Sequence, residues 1–142
     1  KEDLSALDGL APVALWGLAG WHAGCVLTGA CLGATSSLPW ALTEPGSDIG
    51  RHPVELYAAL ILGIGAIVLG RLRTSHPGVT AALALLVASG ARLVTEPLRL
   101  SLGTGRAGLY LIGVAIAAMA ALIVRRVGPR LLLNRGSPSD QE

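Results

Sequence analysis

The sequence predicts an all-α, polytopic membrane protein of about four transmembrane helices. Three observations point to it. Apolar residues make up 52% of the 142 positions and charged residues 14%, against about 25% charged in an ordinary soluble domain. The few charges leave long windows with none, each of a length that suits a bilayer crossing. The basic residues are Arg apart from Lys1, and they gather at the ends of those windows, as juxtamembrane anchors do. A net charge of +2 is too small to imply a nucleic-acid partner.

Residues 1–8 are polar, and Asp8 precedes Gly9-Leu10-Ala11-Pro12, a helix start with Pro in its first turn. The first span covers 10–32, about 23 residues, enough for a hydrocarbon core of about 30 Å. His22 is its only acidic or basic side chain. Gly20 with Gly24, and Gly29 with Gly33, are spaced to let a neighbouring helix or a lipid headgroup approach the backbone. Cys25 and Cys31, six apart on this expected helix, would lie on turns that suit neither a disulfide nor a metal clip, and they read as small packing residues. The chain opens on Lys1-Glu2-Asp3 with no initiator Met and no secretory leader pattern, which reads as a fragment or a processed chain.

Residues 34–52 form a loop rich in Ser, Pro and Gly, with Trp40 as an interfacial anchor. Pro53 opens a second span, 53–72, with Glu55 and Tyr57 in its first two turns. Arg71, Arg73 and His76 make a basic turn before a third span, 79–98, whose far half holds Arg92 and Glu96 and which Pro97 and Arg99 close. A Gly-rich turn leads to a fourth span, 107–124, ending in Arg125-Arg126. The membrane domain is thus 1–127, and 128–142 reads as a disordered cytoplasmic tail. Six Arg residues fall in the 71–76 turn and the stretch 125–135, against Arg51, Arg99 and Arg106 on the opposite side. The bias places the C-terminus in the cytoplasm and the 34–52 loop outside.

Charged groups at membrane depth are expensive and face protein, water or a partner. Arg92 and Glu96 are four apart on one helical face, with Arg99 on the same face. They read either as a self-neutralising pair that locks the helix to its neighbours or as a site for a lipid phosphate, which guanidinium grips bidentately. His22 reads as a packing residue or as a base or phosphate ligand. Arg51 and His52 before Pro53 suit anion binding at a helix N-terminus, or capping and anchoring. No nucleotide loop, zinc spacing or Ser/His/Asp set is present in the sequence, and no cofactor or metal is expected.

These motifs resemble the C-terminal half of the prolipoprotein diacylglyceryl transferase family. The residues that carry the likeness are Asp8 with Ala11-Pro12, the Gly24-Cys25 to Gly29 to Gly33 run, Leu38-Pro39-Trp40, Arg51-His52-Pro53 with Leu56-Tyr57, and Gly90, Arg92, Glu96 and Arg99. They fall in family order over about residues 8–125. The resemblance implies the C-terminal part of a seven-helix bundle in the bacterial inner membrane, multi-pass, with a cytoplasmic C-terminus. It implies transfer of the diacylglyceryl group of phosphatidylglycerol to the lipobox cysteine of a preprolipoprotein, with that lipid and the preprolipoprotein signal peptide as partners within the surrounding membrane lipids. Arg92, Glu96, Arg99, Arg51, Tyr57 and Gly33 would line the substrate site, and His22 and His52 would be the candidates for proton transfer.

Several family positions differ. His22 stands where the family usually has Arg, Cys25 where it has Asn, and Ala30 where it has an acidic residue. Ala58 replaces a Glu and Ala88 an aromatic residue, and the family's upstream His-Gly-Gly segment is not in this chain. The 142 residues alone are therefore expected to be catalytically incomplete. The alternative expectation is a non-catalytic relative that binds phospholipid or partner helices.

Overall fold

The structure, a computed structural model, describes residues 2–29, 31–72, 76–99 and 105–133. Four α-helices account for most of them: α1 Glu2–Leu27, α2 Val54–Arg71, α3 Val79–Thr95 and α4 Gly105–Leu133. Between α1 and α2 lie two short strands, β1 Leu42–Thr43 and β2 Gly50–Arg51, and a 3-10 turn, Glu96–Leu98, follows α3. Three stretches are long and apolar enough to cross a bilayer: Leu4–Leu27, Val54–Arg71 and Val79–Leu98. Helix α4 adds a shorter apolar stretch, Gly108–Leu122. The chain is a polytopic membrane protein.

The helix ends have local causes, and the first departs from expectation at both ends. Pro12 lies inside α1 rather than in its first turn, and the helix begins earlier, at Glu2. It stops at Leu27, short of the expected 32, because Gly29 (φ 70) and Cys31 (φ 65) turn the chain into the left-handed region. Pro53 sits immediately before α2. Gly78, at φ 90, precedes α3, and Pro97 tightens the end of that helix into the 3-10 turn. Helix α4 outruns its expected span of 107–124, so residues 128–133 are helical rather than tail, while 134–142 lie outside the described residues.

Small residues bring the helices together. Ala11, Leu15 and Ala19 recur every fourth position on α1 and meet Leu62, Ala66 and Leu69 of α2, with Ala84 and Ala91 of α3 completing the core. Trp16 packs over Gly63, Val87 presses on Gly65, and Ser89 lies against Gly113 of α4. The glycine pairing expected on α1 is not the seam: Gly20 and Gly24 look onto open space among the described residues. Large apolar side chains such as Leu10, Leu60, Ile64 and Val94 point outward, as lipid-facing residues do.

At one end of the bundle, Asp8 of α1 reaches across to α3. Its carboxylate accepts from the backbone N–H of Gly78 at 2.6 Å and of Ala81 at 2.8 Å. This caps a helix from a neighbouring element. Asp8→Ala should cost about 0.5–2 kcal/mol, read by denaturant unfolding in detergent.

Candidate functional site

The other end holds the polar residues. Here α1 is finishing, α2 is starting and α3 has just given way to the 3-10 turn, so three helix ends meet beneath the 34–52 loop. That loop is ordered by backbone pairing. Gly33 N–H donates to His52 O at 2.8 Å, His52 N–H to Ala34 O at 2.9 Å, and Ser36 N–H to Gly50 O at 2.8 Å. Ala34 N–H donates to Leu98 O at 2.8 Å, which ties the same strip to the end of α3. β1 and β2 pair antiparallel, Leu42 opposite Arg51 and Thr43 opposite Gly50. The sequence reading had no strand in this all-α chain. The short hairpin forms because Pro45-Gly46, with Gly46 at φ 83, reverses the chain between β1 and β2.

Glu55 is the centre of the cluster. It sits in the first turn of α2, where the helix dipole favours a carboxylate, and is 6% exposed. One carboxylate oxygen pairs with His22 Nδ1, and the other accepts from Arg99 Nη1. His22, on α1, is 3% exposed. Arg99 also lies 3.9 Å from Glu96 through Nε. The three elements are thus pinned by one buried carboxylate holding an imidazole and a guanidinium.

This geometry corrects the expected pairing of Arg92 with Glu96. Among the described residues Arg92 makes no ion pair, and Glu96 faces Arg99. The reason is the helix end. Glu96 still has helical torsions and its N–H donates to Arg92 O, but the chain beyond it tightens into the 3-10 turn, which brings Arg99, three residues ahead, to 3.9 Å from its carboxylate. Arg99 itself is extended (φ −82, ψ 151) and has left the face that Arg92 occupies.

The loop residues surround this cluster. Arg51 donates to Gly33 O at 3.4 Å and lies 3.6 Å from Glu44. The His52 ring meets Tyr57 edge-on with centroids 6.3 Å apart. Tyr57 Oη accepts from Trp40 Nε1 at 2.9 Å, so Trp40 braces the site wall. Gly33 is packed so tightly that an added methyl group would collide with Leu98 O and Val54 Cγ2. Arg99 Nη2 and His52 Nδ1 are buried with no hydrogen-bond partner among the described residues.

Two readings of the sequence change here. Cys25 and Cys31 form a disulfide, with Cα atoms 6.0 Å apart. The expectation against it assumed one continuous helix, whereas the turn after Leu27 brings Cys31 back to the last turn of α1. The sequence places Glu55 only in the first turns of the second span and gives it no partner. The signal available was its position: an acid at the mouth of an otherwise apolar span, opposite the one acidic or basic side chain of the first span.

Fold and site together define an integral membrane protein with a buried carboxylate–imidazole–guanidinium cluster at one end of its helices. A sequence profile described as prolipoprotein diacylglyceryl transferase matches residues 2–132. A phosphatidylglycerol–prolipoprotein diacylglyceryl transferase from Methylobacillus flagellatus is 32% identical over 130 residues, covering 83% of this chain and 50% of that protein. A protein of the same name from Nitratidesulfovibrio vulgaris is 38% identical over 65 residues, covering 45% of this chain and 24% of that one. Another from Leptothrix cholodnii is 38% identical over 86 residues, 55% and 31% respectively. The chain belongs to the prolipoprotein diacylglyceryl transferase family, and it spans at most about half the length of these relatives.

Proposed function

We propose that this chain supplies the phospholipid-binding half of a diacylglyceryl transfer site that serves lipoprotein biosynthesis. The substrates are phosphatidylglycerol and the signal-peptide-bearing preprolipoprotein, in the bacterial inner membrane. The observation that carries the reading is the unpaired buried nitrogen of Arg99, Nη2, at the end of the bundle that also holds the unpaired Nδ1 of His52. Buried donors require acceptors, and phosphate oxygens are acceptors of matching charge and geometry for a guanidinium. Gly33, Arg51, Glu96 and Tyr57 form the surrounding wall, and Arg92, which makes no ion pair among the described residues, is a second cation on the face of α3 that Arg99 has left.

In the reaction, the lipobox thiol gives its proton to a base, His22 or His52. The thiolate sulfur then bonds to the diacylglyceryl carbon. The carbon–oxygen bond to phosphate breaks with its electron pair on the oxygen, and glycerol phosphate leaves. Cations at the phosphate stabilise that departing charge. The site end faces outward in this reading, with the C-terminus cytoplasmic. The Arg bias supports that orientation, and so does the disulfide at the site end, since disulfides persist on the oxidising side of a membrane.

The test is binding of phosphatidylglycerol against phosphatidylcholine by the chain in lipid nanodiscs, read by native mass spectrometry. Arg99→Ala should weaken the phosphatidylglycerol preference by about 1.5–3 kcal/mol, the worth of a hydrogen bond to a charged group. Arg99→Lys should recover only part, because ammonium lacks the planar fork. Equal binding of the two lipids by the unmodified chain would overturn the reading.

A further inference from the structure

A carboxylate can only accept hydrogen bonds. Glu55 accepts from Arg99 with one oxygen and pairs with Nδ1 of His22 through the other. The hydrogen of a neutral His22 is therefore on Nδ1, and the lone pair is on Nε2. Both residues are buried, so bulk water does not average this preference away. Other charged or titratable groups near this end of the bundle are Glu96 beyond α3, Arg51 and His52 beside β2, and Tyr57 on α2, and among the described residues these groups have other partners than Nδ1.

We propose that Glu55 is a positioning residue: it holds His22 with Nε2 as the basic nitrogen and, through its second oxygen, fixes Arg99 so that Nη2 is left for an anion. The inference rests on the transfer reading above for its use but not for its geometry. Glu55 touches neither thiol nor lipid in this role. It sets which nitrogen of its neighbour can take a proton, and it ties that choice to the placement of the cation.

The substitution Glu55→Gln separates this from a merely structural part. An amide of the same shape has one accepting oxygen and one donating nitrogen. With the oxygen turned to Arg99, the NH2 group faces His22 Nδ1 and can be accommodated only if that nitrogen carries the lone pair. The tautomer must then reverse and place the hydrogen on Nε2. Nitrogen-15 NMR of histidine-labelled protein in phosphatidylglycerol nanodiscs reads the tautomer without any turnover, and His22→Ala identifies the signal among the three histidines.

The expected result is Nδ1 protonated in the unmodified protein and Nε2 protonated in Glu55→Gln. Glu55→Asp, which keeps two accepting oxygens, should restore the original tautomer. A His22 with its hydrogen on Nε2 in the unmodified protein would overturn the proposal, and that measurement needs no variant to fold. An unchanged tautomer in a folded Glu55→Gln would overturn it equally. Equal binding of phosphatidylglycerol and phosphatidylcholine by the unmodified chain, with the expected tautomers, sinks the transfer reading and leaves the positioning of His22 standing.

Discussion

Glu55→Leu is expected to destabilise the protein by about 3–5 kcal/mol, the cost of breaking a buried ion pair from one side. The loss is large because the carboxylate serves two partners from two other elements. Without it the Arg99 guanidinium is left next to apolar surface with only Glu96 nearby, and the His22 imidazole is buried with nothing to accept from Nδ1. The same reasoning predicts a partial recovery. Adding His22→Leu removes one of the stranded polar groups, and apolar replacements of buried polar clusters are often neutral. The double variant should therefore be more stable than Glu55→Leu alone, a coupling of about 0.5–3 kcal/mol for residues in one network. Unfolding in mixed detergent measures both. Strict additivity of the two changes would show that His22 and Glu55 do not share an interaction.

Gly33→Ala is the second large effect. The backbone at 33–34 is bonded to His52 on one side and Leu98 on the other, and a methyl group meets Leu98 O and Val54 Cγ2. Backbone atoms cannot move aside as a flexible side chain can, so the strip must separate from α2 or from the 3-10 turn. Overpacking of this kind costs about 1–3 kcal/mol or more, and it should abolish the phosphatidylglycerol preference because it displaces His52 and Arg99 together. Gly20→Ala and Gly24→Ala are the controls. Both sites open onto free space among the described residues, and substitution there should not destabilise this chain, since alanine favours a helix interior over glycine by about 0.5–1 kcal/mol. Equal effects at Gly33 and Gly24 would contradict the packing described.

Most of the architecture was legible in the order of residues. Uncharged windows, bounded by Pro, Gly and Arg, mark α2 and α3 to within a few residues, because a bilayer imposes length and apolarity on each crossing independently of its neighbours. Helix ends were less legible where they depend on a left-handed residue that is not glycine. Cys31 at φ 65 is such a residue, and missing it carried α1 five residues too far and hid the disulfide. The site was read in part. His22, Arg99, Arg51, His52, Tyr57 and Gly33 all lie at the end of the bundle where the chain topology places them, but their partners were not visible.

What the sequence by itself determined is the membrane class, the family and the set of polar residues gathered at one end, since composition and motif spacing are local properties. What only the tertiary structure decided is who holds whom. Glu55, 33 residues from His22 and 44 from Arg99, became the centre because three helix ends converge there. Glu96 faces Arg99 rather than Arg92 because the 3-10 turn that holds Pro97 brings Arg99 back toward its carboxylate. Pairings of that separation depend on how elements pack, and no periodicity along one chain segment carries that information.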